Sequence, residues 1–409
     1  MLSDCSFGLL VIMMTEKLYD LDSYVTEFKC KVIDLYEEQG KLNIILDRTA
    51  FFPEGGGQTS DRGMLGDVYV EDVQIECGKI RHIVENSKEN SDKLQPGTVL
   101  SGKIDFQKRF SDMQQHSGEH IFSGIVHSLY GYDNVGFHLG SETVTLDFNG
   151  PLQKDDVCKV EKLVNKAVWD NKEIHVFFPT EEEKKAIRYR SKKEVDGPLR
   201  LVEIPGVDIC ACCAPHVRRT GEIGLVEVVK FEKYKSGTRL FILCGERALC
   251  DMRTKLDENH AVAALLSVKE TETAKAVEKL KADNTDLSYR LGGAKLEKLK
   301  MLAESMGESE RSVVFCDLTE TDMIREYANL LSEKSRDYSA VFGGENGEYK
   351  FVIISKSGFD LDTICKKMRE SLGARGGGRN GIVQGSVAAS EAEIRKVLEQ
   401  ECDISPMKR

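Results

Sequence analysis

Between residues 24 and 100 the hydrophobic positions fall in short β-prone runs, such as Lys41–Leu46 and 68–75, punctuated by Gly, Pro, Asn and Asp. That punctuation predicts a small sheet or barrel. From 106 to 130 the period changes, and Phe110, Met113, Ile121, Ile125 and Leu129 recur at helical spacing. A strand-like run over 143–148 and a second helical pattern over 157–169 follow, which predicts a mixed α+β core. Residues 256–302 lack proline, and Val277, Leu280, Asn284, Leu287, Leu291 and Ala294 form a short heptad seam. Gly292 and Gly293 interrupt the seam, so a kink or a turn between two antiparallel helices is expected there rather than an unbroken rod. Beyond residue 312, apolar runs at 313–316, 340–342 and 351–354 alternate with helical segments in an α/β pattern. The fold class expected is α+β. Its parts are an N-terminal extension (1–13), a β-rich N-terminal subdomain (14–100), an α+β core (101–245), a long helical connector (246–311) and a small α/β C-terminal domain (312–409).

Composition narrows the setting. A chain of 409 residues exceeds a usual single core. With 41% hydrophobic and 31% charged residues and no apolar run near the roughly 18 residues of a membrane span, disordered and membrane-spanning classes are excluded. The apolar run over 7–14 has no positive charge before it and no small-residue cleavage site after it, so it reads as a docked tail or as sequence ahead of a later start at Met13 or Met14. The 12 cysteines lack the dense spacing of a disulfide scaffold, which points to a reducing cytoplasm and to metal ligation wherever they cluster. A net charge of −11 excludes nucleic-acid binding over the whole surface and leaves local contacts. The basic segment Lys184, Lys185, Arg188, Arg190, Lys192 and Lys193, with Arg218 and Arg219 later, is the candidate; a solvated face balancing Glu181, Glu182 and Glu183 is the alternative.

Three segments carry chemistry. His116-Ser117-Gly118-Glu119-His120 puts two imidazoles at i and i+4, on one helix face and within reach of one metal ion. Ninety residues on, Cys210-Ala211-Cys212-Cys213-Ala214-Pro215-His216 packs three thiols and an imidazole into seven residues. Two His from a helix with a Cys and a His from a loop make the borderline-soft donor mixture of tetrahedral zinc. The spacing alone leaves open which cysteine takes part. The third segment, 47–63, holds Phe52-Pro53-Glu54-Gly55-Gly56-Gly57-Gln58, whose glycines allow a tight turn and close approach of another chain. It lacks the lysine of a phosphate-binding loop and the spacing of a dinucleotide fingerprint.

Taken together, Thr49 with the Phe-Pro-Glu-Gly-Gly-Gly-Gln run, the His116/His120 pair, and Cys212 four residues before His216 with its Thr220-Gly221-Glu222-Ile223-Gly224 tail resemble the editing domain of alanyl-tRNA synthetase and of the alanyl-tRNA editing proteins of the long AlaX form. Gly376-Gly377-Gly378-Arg379 and the residues to Gly385 resemble the glycine-rich signature of that family's C-terminal domain. The family usually has Gly-Gly-Thr where this chain has Cys213-Ala214-Pro215. The resemblance implies an aminoacyl-tRNA deacylase, an ester hydrolase acting in trans on tRNA(Ala) mischarged with serine or glycine. It implies zinc held by His116, His120, Cys212 and His216, with the choice of Cys212 resting on the four-residue offset to His216. It implies Thr49 as the group reading the serine hydroxyl, with Gln58 and His138 lining the pocket. It further implies a cytoplasmic homodimer formed through the connector and C-terminal domain, with no membrane partner.

Two other functions compete. His116-Ser117-Gly118-Glu119-His120 also satisfies the inverted zinc-peptidase pattern, with Glu119 as general base. A non-catalytic tRNA-binding adaptor with a structural zinc is the third reading.

Overall fold

The computed structural model describes residues 14–76, 78–191 and 199–399, so the expected extension 1–13 and the basic residues Lys192 and Lys193 lie outside the described residues. The chain divides into two compact units, Met1–His260 and Ala261–Arg409.

The first unit begins with a closed antiparallel barrel. Its strands are β1 (Glu27–Glu38), β2 (Lys41–Leu46), β3 (Gly63–Leu65), β4 (Val68–Glu76), β5 (Lys79–Glu85) and β6 (Val99–Ile104), neighbouring in the order β1-β2-β5-β4-β3-β6. Strand alternation sends Phe28, Cys30 and Val32 of β1 inward to meet Ile44, Leu46, Val70, Val84 and Ile104. The β-rich reading of this stretch therefore holds, and closure removes the sheet edges. A segment of 16 residues between β2 and β3 is long enough to leave the barrel wall, and it carries the glycine-rich loop.

Helix α1 (Phe106–Tyr130) follows, capped by the Asp105 side chain accepting from the Lys108 amide and ended by Gly131 at φ 70. One face packs on a four-stranded antiparallel sheet formed by β7 (Asn134–Leu139), β8 (Val144–Phe148), β12 (Val226–Tyr234) and β13 (Gly237–Cys244), in the order β12-β13-β8-β7. Helix α2 (Lys154–Trp169) adds Val157, Val160, Val164 and Val168 to that core. A three-stranded sheet of β9 (His175–Phe177), β10 (Leu201–Ile204) and β11 (Asp208–Ala211) lies beside α1 and ends at the cysteine-rich loop. Helix α3 (Gly245–Leu266) runs across the boundary between the two units.

The second unit opens with α4 (Thr273–Ser305), 33 residues long. It passes through Gly292 and Gly293 without a break, which corrects the expected turn between two antiparallel helices. Two glycines cost roughly 2 kcal/mol of helix propensity relative to alanine, and the 31 other residues of this helix carry it through. The interruption sits earlier, at Ser267 with φ 54 and the short 3-10 turn Glu270–Glu272. Val277, Leu280, Leu287 and Leu291 of the expected seam are 48–61% exposed. A mixed sheet of β14 (Ser309–Cys316), β15 (Ser335–Glu345), β16 (Glu348–Ile354), β17 (Arg375–Arg379) and β18 (Ile382–Ala388) follows in the order β14-β15-β16-β18-β17, with only β14 and β15 parallel. Helices Thr321–Ser332, Leu361–Leu372 and Glu391–Glu399 cover it. The glycine-rich signature begins on the exposed edge strand β17 and runs through the turn into β18. The α+β class is borne out. Among the described residues no helix is long and apolar enough to cross a membrane.

Candidate metal centre

Helix α1 is buried from Asp112 to Gly124, and Gln114, Gln115, His116, Ser117, Glu119, His120 and Ser123 lie inside with its apolar residues. Burying so many polar groups is costly unless each finds a partner, so their partners define the site.

His116 and His120 meet Cys212 and His216 in one cluster whose ligand atoms all lie within 4.8 Å of one another. His116 Nε2 is 3.5 Å and His216 Nε2 3.4 Å from Cys212 Sγ. The edge of a tetrahedron between a thiolate at about 2.3 Å and an imidazole nitrogen at about 2.0–2.1 Å from zinc is about 3.5 Å, so the donors stand at zinc spacing.

His116 and His216 are hydrogen-bonded from behind by different groups, whereas His120 Nδ1 faces a carboxylate without a hydrogen bond among the described residues. The Gln58 Oε1 can only accept, so His116 Nδ1 carries the hydrogen of their 2.9 Å bond and Nε2 is left bare toward Cys212. His216 Nδ1 lies 3.0 Å from the Ser117 hydroxyl. His120 Nδ1 faces Asp208 Oδ2 at 3.4 Å. Imidazoles backed by hydrogen-bonding or anionic groups on the far ring nitrogen fit a metal ion.

The electrostatics of Cys212 and His216 agree with that donor chemistry, whereas at His120 burial is outweighed by Asp208 and Cys212, which raise it to about 9. Burial raises the Cys212 thiol, but the His116 and His216 imidazoles beside it outweigh burial and hold it well below its ordinary value, toward the thiolate a metal takes. Burial pushes His216 down to about 3, which keeps it neutral and able to ligate. Cys210 behaves differently: burial pushes it up to about 12, and it lies with His120 and Asp208 rather than in the four-residue cluster. Cys213 is exposed beside Gly56.

The glycine-rich loop closes over this cluster from the barrel side. Gly57 has φ +86, and a Cβ there would stand 2.4 Å from the Phe137 ring, so only glycine lets the loop lie against β7. Phe137 in turn packs on His116 with ring centroids 4.8 Å apart. The loop is tied to α1 by Arg109, fully buried, which donates to both carboxylate oxygens of Asp61 and to the carbonyls of Ser23 and Ala50. Asp112 adds a second tie, accepting from the Thr59 hydroxyl of the loop at 3.1 Å.

Of the three pocket residues expected from the sequence, Gln58 sits against His116, and its Nε2 is buried with no hydrogen-bond partner. His138 lies on the exposed side of β7. Thr49 is fully buried in the short strand Arg48–Thr49 and is engaged with His82 at 2.8 Å rather than with any of the four clustered residues. His82 Nδ1 donates to the Ile44 carbonyl at 3.1 Å, so Nε2 is the acceptor and the Thr49 hydroxyl is the donor. The Phe51 amide donates to the same oxygen at 3.1 Å, which leaves that hydroxyl one lone pair.

The basic segment is partly spent inside the protein. Arg190 forms a two-pronged ion pair with Asp208 at 2.7 Å, and Lys184 bonds Glu181. Arg218 pairs with Asp22, and Arg219 bonds Asn171. Glu119, the general base of the peptidase reading, is buried and accepts from Ser123 and Asn134. Sequence reasoning missed Asp208 and His82, placed Arg190 only in the basic segment, and gave Ser117 no role within the histidine motif. Only the proximity of Asp208 to the cysteine cluster was visible in the chain.

Two segments of the chain match family models of synthetase-associated domains. The family described as "Threonyl and Alanyl tRNA synthetase second additional domain" matches residues 199–241, and that described as "tRNA synthetases class II (A)" matches 20–108. The chain is similar, over 93% of its length, to the alanyl-tRNA editing protein AlaX-L of Pyrococcus horikoshii, at 27% identity and 96% coverage of that protein. It is 29% identical to the alanyl-tRNA editing protein Aarsd1-B of Xenopus laevis, covering 93% of this chain and 96% of that one. An alanine–tRNA ligase of Pyrobaculum neutrophilum is 27% identical over 94% of this chain but only 44% of the ligase. The expected resemblance to long-form alanyl-tRNA editing proteins is thus shown.

Proposed function

We propose that this chain is a zinc-dependent aminoacyl-tRNA deacylase that edits mischarged tRNA(Ala) in trans. The observation that carries the reading is the gathering of His116, His120, Cys212 and His216 at zinc spacing beneath the glycine-rich loop. Similarity to alanyl-tRNA editing proteins along nearly the whole chain supports the substrate class. When bound there, zinc supplies Lewis acidity that polarises an ester carbonyl or brings the pKa of a water toward about 7. The chain's own residues do the rest. Gln58 orients His116 through Oε1 and keeps a buried amide N–H available to donate to a substrate oxygen. Phe137 and the loop backbone wall the cluster from the barrel side.

Serine, and secondarily glycine, is the residue removed, with Thr49 as the group that reads the serine hydroxyl. Because its own hydrogen is committed to His82, Thr49 acts as an acceptor toward serine. Thr49→Val keeps the shape and removes that acceptor. It should lower serine release about 5- to 150-fold, the range of a lost hydrogen bond worth roughly 1–3 kcal/mol, while zinc content stays at one per chain. Release of labelled serine and alanine from matched tRNA(Ala) measures this. Equal serine release by Thr49→Val and the parent would remove Thr49 from the site, and cleavage of a denatured polypeptide without deacylation would favour the peptidase. Tight tRNA binding with neither activity would favour the adaptor.

The partner is tRNA(Ala), and the protein acts as a homodimer. The exposed seam of Val277, Leu280, Leu287 and Leu291 on α4 supports self-association, since such a stripe buries its apolar area against a second helix. Light scattering should give about twice the 45.8 kDa chain mass, and Leu280→Lys with Leu287→Lys should return it to the monomer. A monomer at every concentration of the parent would overturn the dimer.

A further inference from the structure

His120 differs from the other two imidazoles of the cluster in what stands behind it. Gln58 and Ser117 are neutral, whereas the group facing His120 Nδ1, at 3.4 Å, is the carboxylate of Asp208. Asp208 has a side chain only 3% exposed, and a buried carboxylate needs a counter-charge. Arg190 provides it with a fork of two 2.7 Å bonds, one to each oxygen.

The backbone is arranged to deliver this pair. The Arg190 amide donates to the Ile209 carbonyl at 2.8 Å and the Ala211 amide to the Arg190 carbonyl at 2.9 Å, so Arg190 is docked beside β11 by two main-chain bonds. On the other side, Gly124 lies in α1 one turn beyond His120. A Cβ at Gly124 would come within 2.7 Å of Asp208 Cβ and of the Val207 carbonyl. A glycine inside a helix costs about 1 kcal/mol, and here its absent side chain is what admits Asp208 to the helix surface.

His120, Asp208 and Cys210 also satisfy the spacing of a metal group. The Arg190 guanidinium, however, already engages both carboxylate oxygens and supplies the positive charge a second ion would bring. We propose that Asp208, clamped by Arg190, is a positioning residue for the metal centre: it fixes His120 with Nδ1 protonated and makes its Nε2 the most basic nitrogen donor of the cluster. The proposal rests on reading His116, His120, Cys212 and His216 as the zinc ligands.

The test uses the full chain, with zinc affinity measured by chelator competition and the absorption spectrum recorded after cobalt(II) replaces zinc. Asp208→Asn should bind one metal about 10- to 100-fold more weakly, with its cobalt bands shifted from those of the parent. Arg190→Lys keeps the charge without the fork and should fall between the two. Parent-like affinity and spectrum in Asp208→Asn would overturn the proposal while leaving the zinc reading intact. So would a lowered melting temperature of the metal-free variant with an unshifted cobalt spectrum, which would mark a structural role only. Two cobalt ions per parent chain would make Asp208 a ligand and also overturn it. A parent that binds no metal would remove the zinc reading and this proposal together.

Discussion

Arg109→Leu is expected to destabilise the first unit by about 3–5 kcal/mol, the usual result of leaving one partner of a buried ion pair alone. The guanidinium is fully buried and serves four acceptor oxygens at once: both of Asp61 and the carbonyls of Ser23 and Ala50. Leucine fills part of the space and satisfies none of them. Asp61 would remain as an uncompensated carboxylate, still accepting the Phe52 amide at 2.6 Å. The sign of the coupling makes the prediction specific. Asp61→Asn with Arg109→Leu should cost less than Arg109→Leu alone, because a neutral amide is cheaper to leave buried and can still accept from Phe52. Hydrogen exchange of the α1 amides reads this unit directly. Additive losses in the double variant would show that Arg109 acts by packing alone. The same substitution should loosen the glycine-rich loop, because Arg109 ties both Asp61 and Ala50 of the 47–62 segment to α1.

This anchoring explains which parts of the site were legible in the chain. Local patterns report local chemistry: the i, i+4 histidines, the clustered cysteines and the triple glycine are short-range motifs, and each announced its residue types. The barrel was legible because alternation and turn residues are also local. What tied the motifs together was not. Arg109 and Asp61 are 48 residues apart, His82 and Thr49 33, and Arg190 and Asp208 18. No periodicity marks such pairs, and charge alone assigned Arg190 to a solvent-facing basic segment. The helix through Gly292 and Gly293 was misread for a related reason, since propensity was weighed residue by residue, whereas helix extension is cooperative over the whole segment. Thr49 was singled out as a hydroxyl near a site; its partner His82, which decides whether that hydroxyl donates or accepts, becomes visible only across the barrel.

Cys212→Ser should abolish editing through loss of the metal, lowering deacylation by about a thousandfold if zinc contributes the several kcal/mol usual for a Lewis acid. Cys212 is the cluster's one anionic donor, a thiol held well below its ordinary value despite burial by His116 and His216. A serine hydroxyl stays protonated at neutral pH and reaches less far, so three neutral imidazoles would be left to hold a dication. The neighbouring thiols provide internal controls. Cys210→Ser and Cys213→Ser should each retain about one zinc per chain, because neither sulfur joins His116, His120 and His216 in the cluster. Metal content by mass spectrometry, paired with release of serine from mischarged tRNA(Ala), separates the possibilities. Full zinc in Cys212→Ser together with its loss from Cys210→Ser or Cys213→Ser would transfer the ligand role to that neighbour. Loss of zinc from Cys212→Ser with deacylation unchanged would make the metal structural, and the hydrolytic step would then have to be sought among Gln58, Thr49 and the substrate itself.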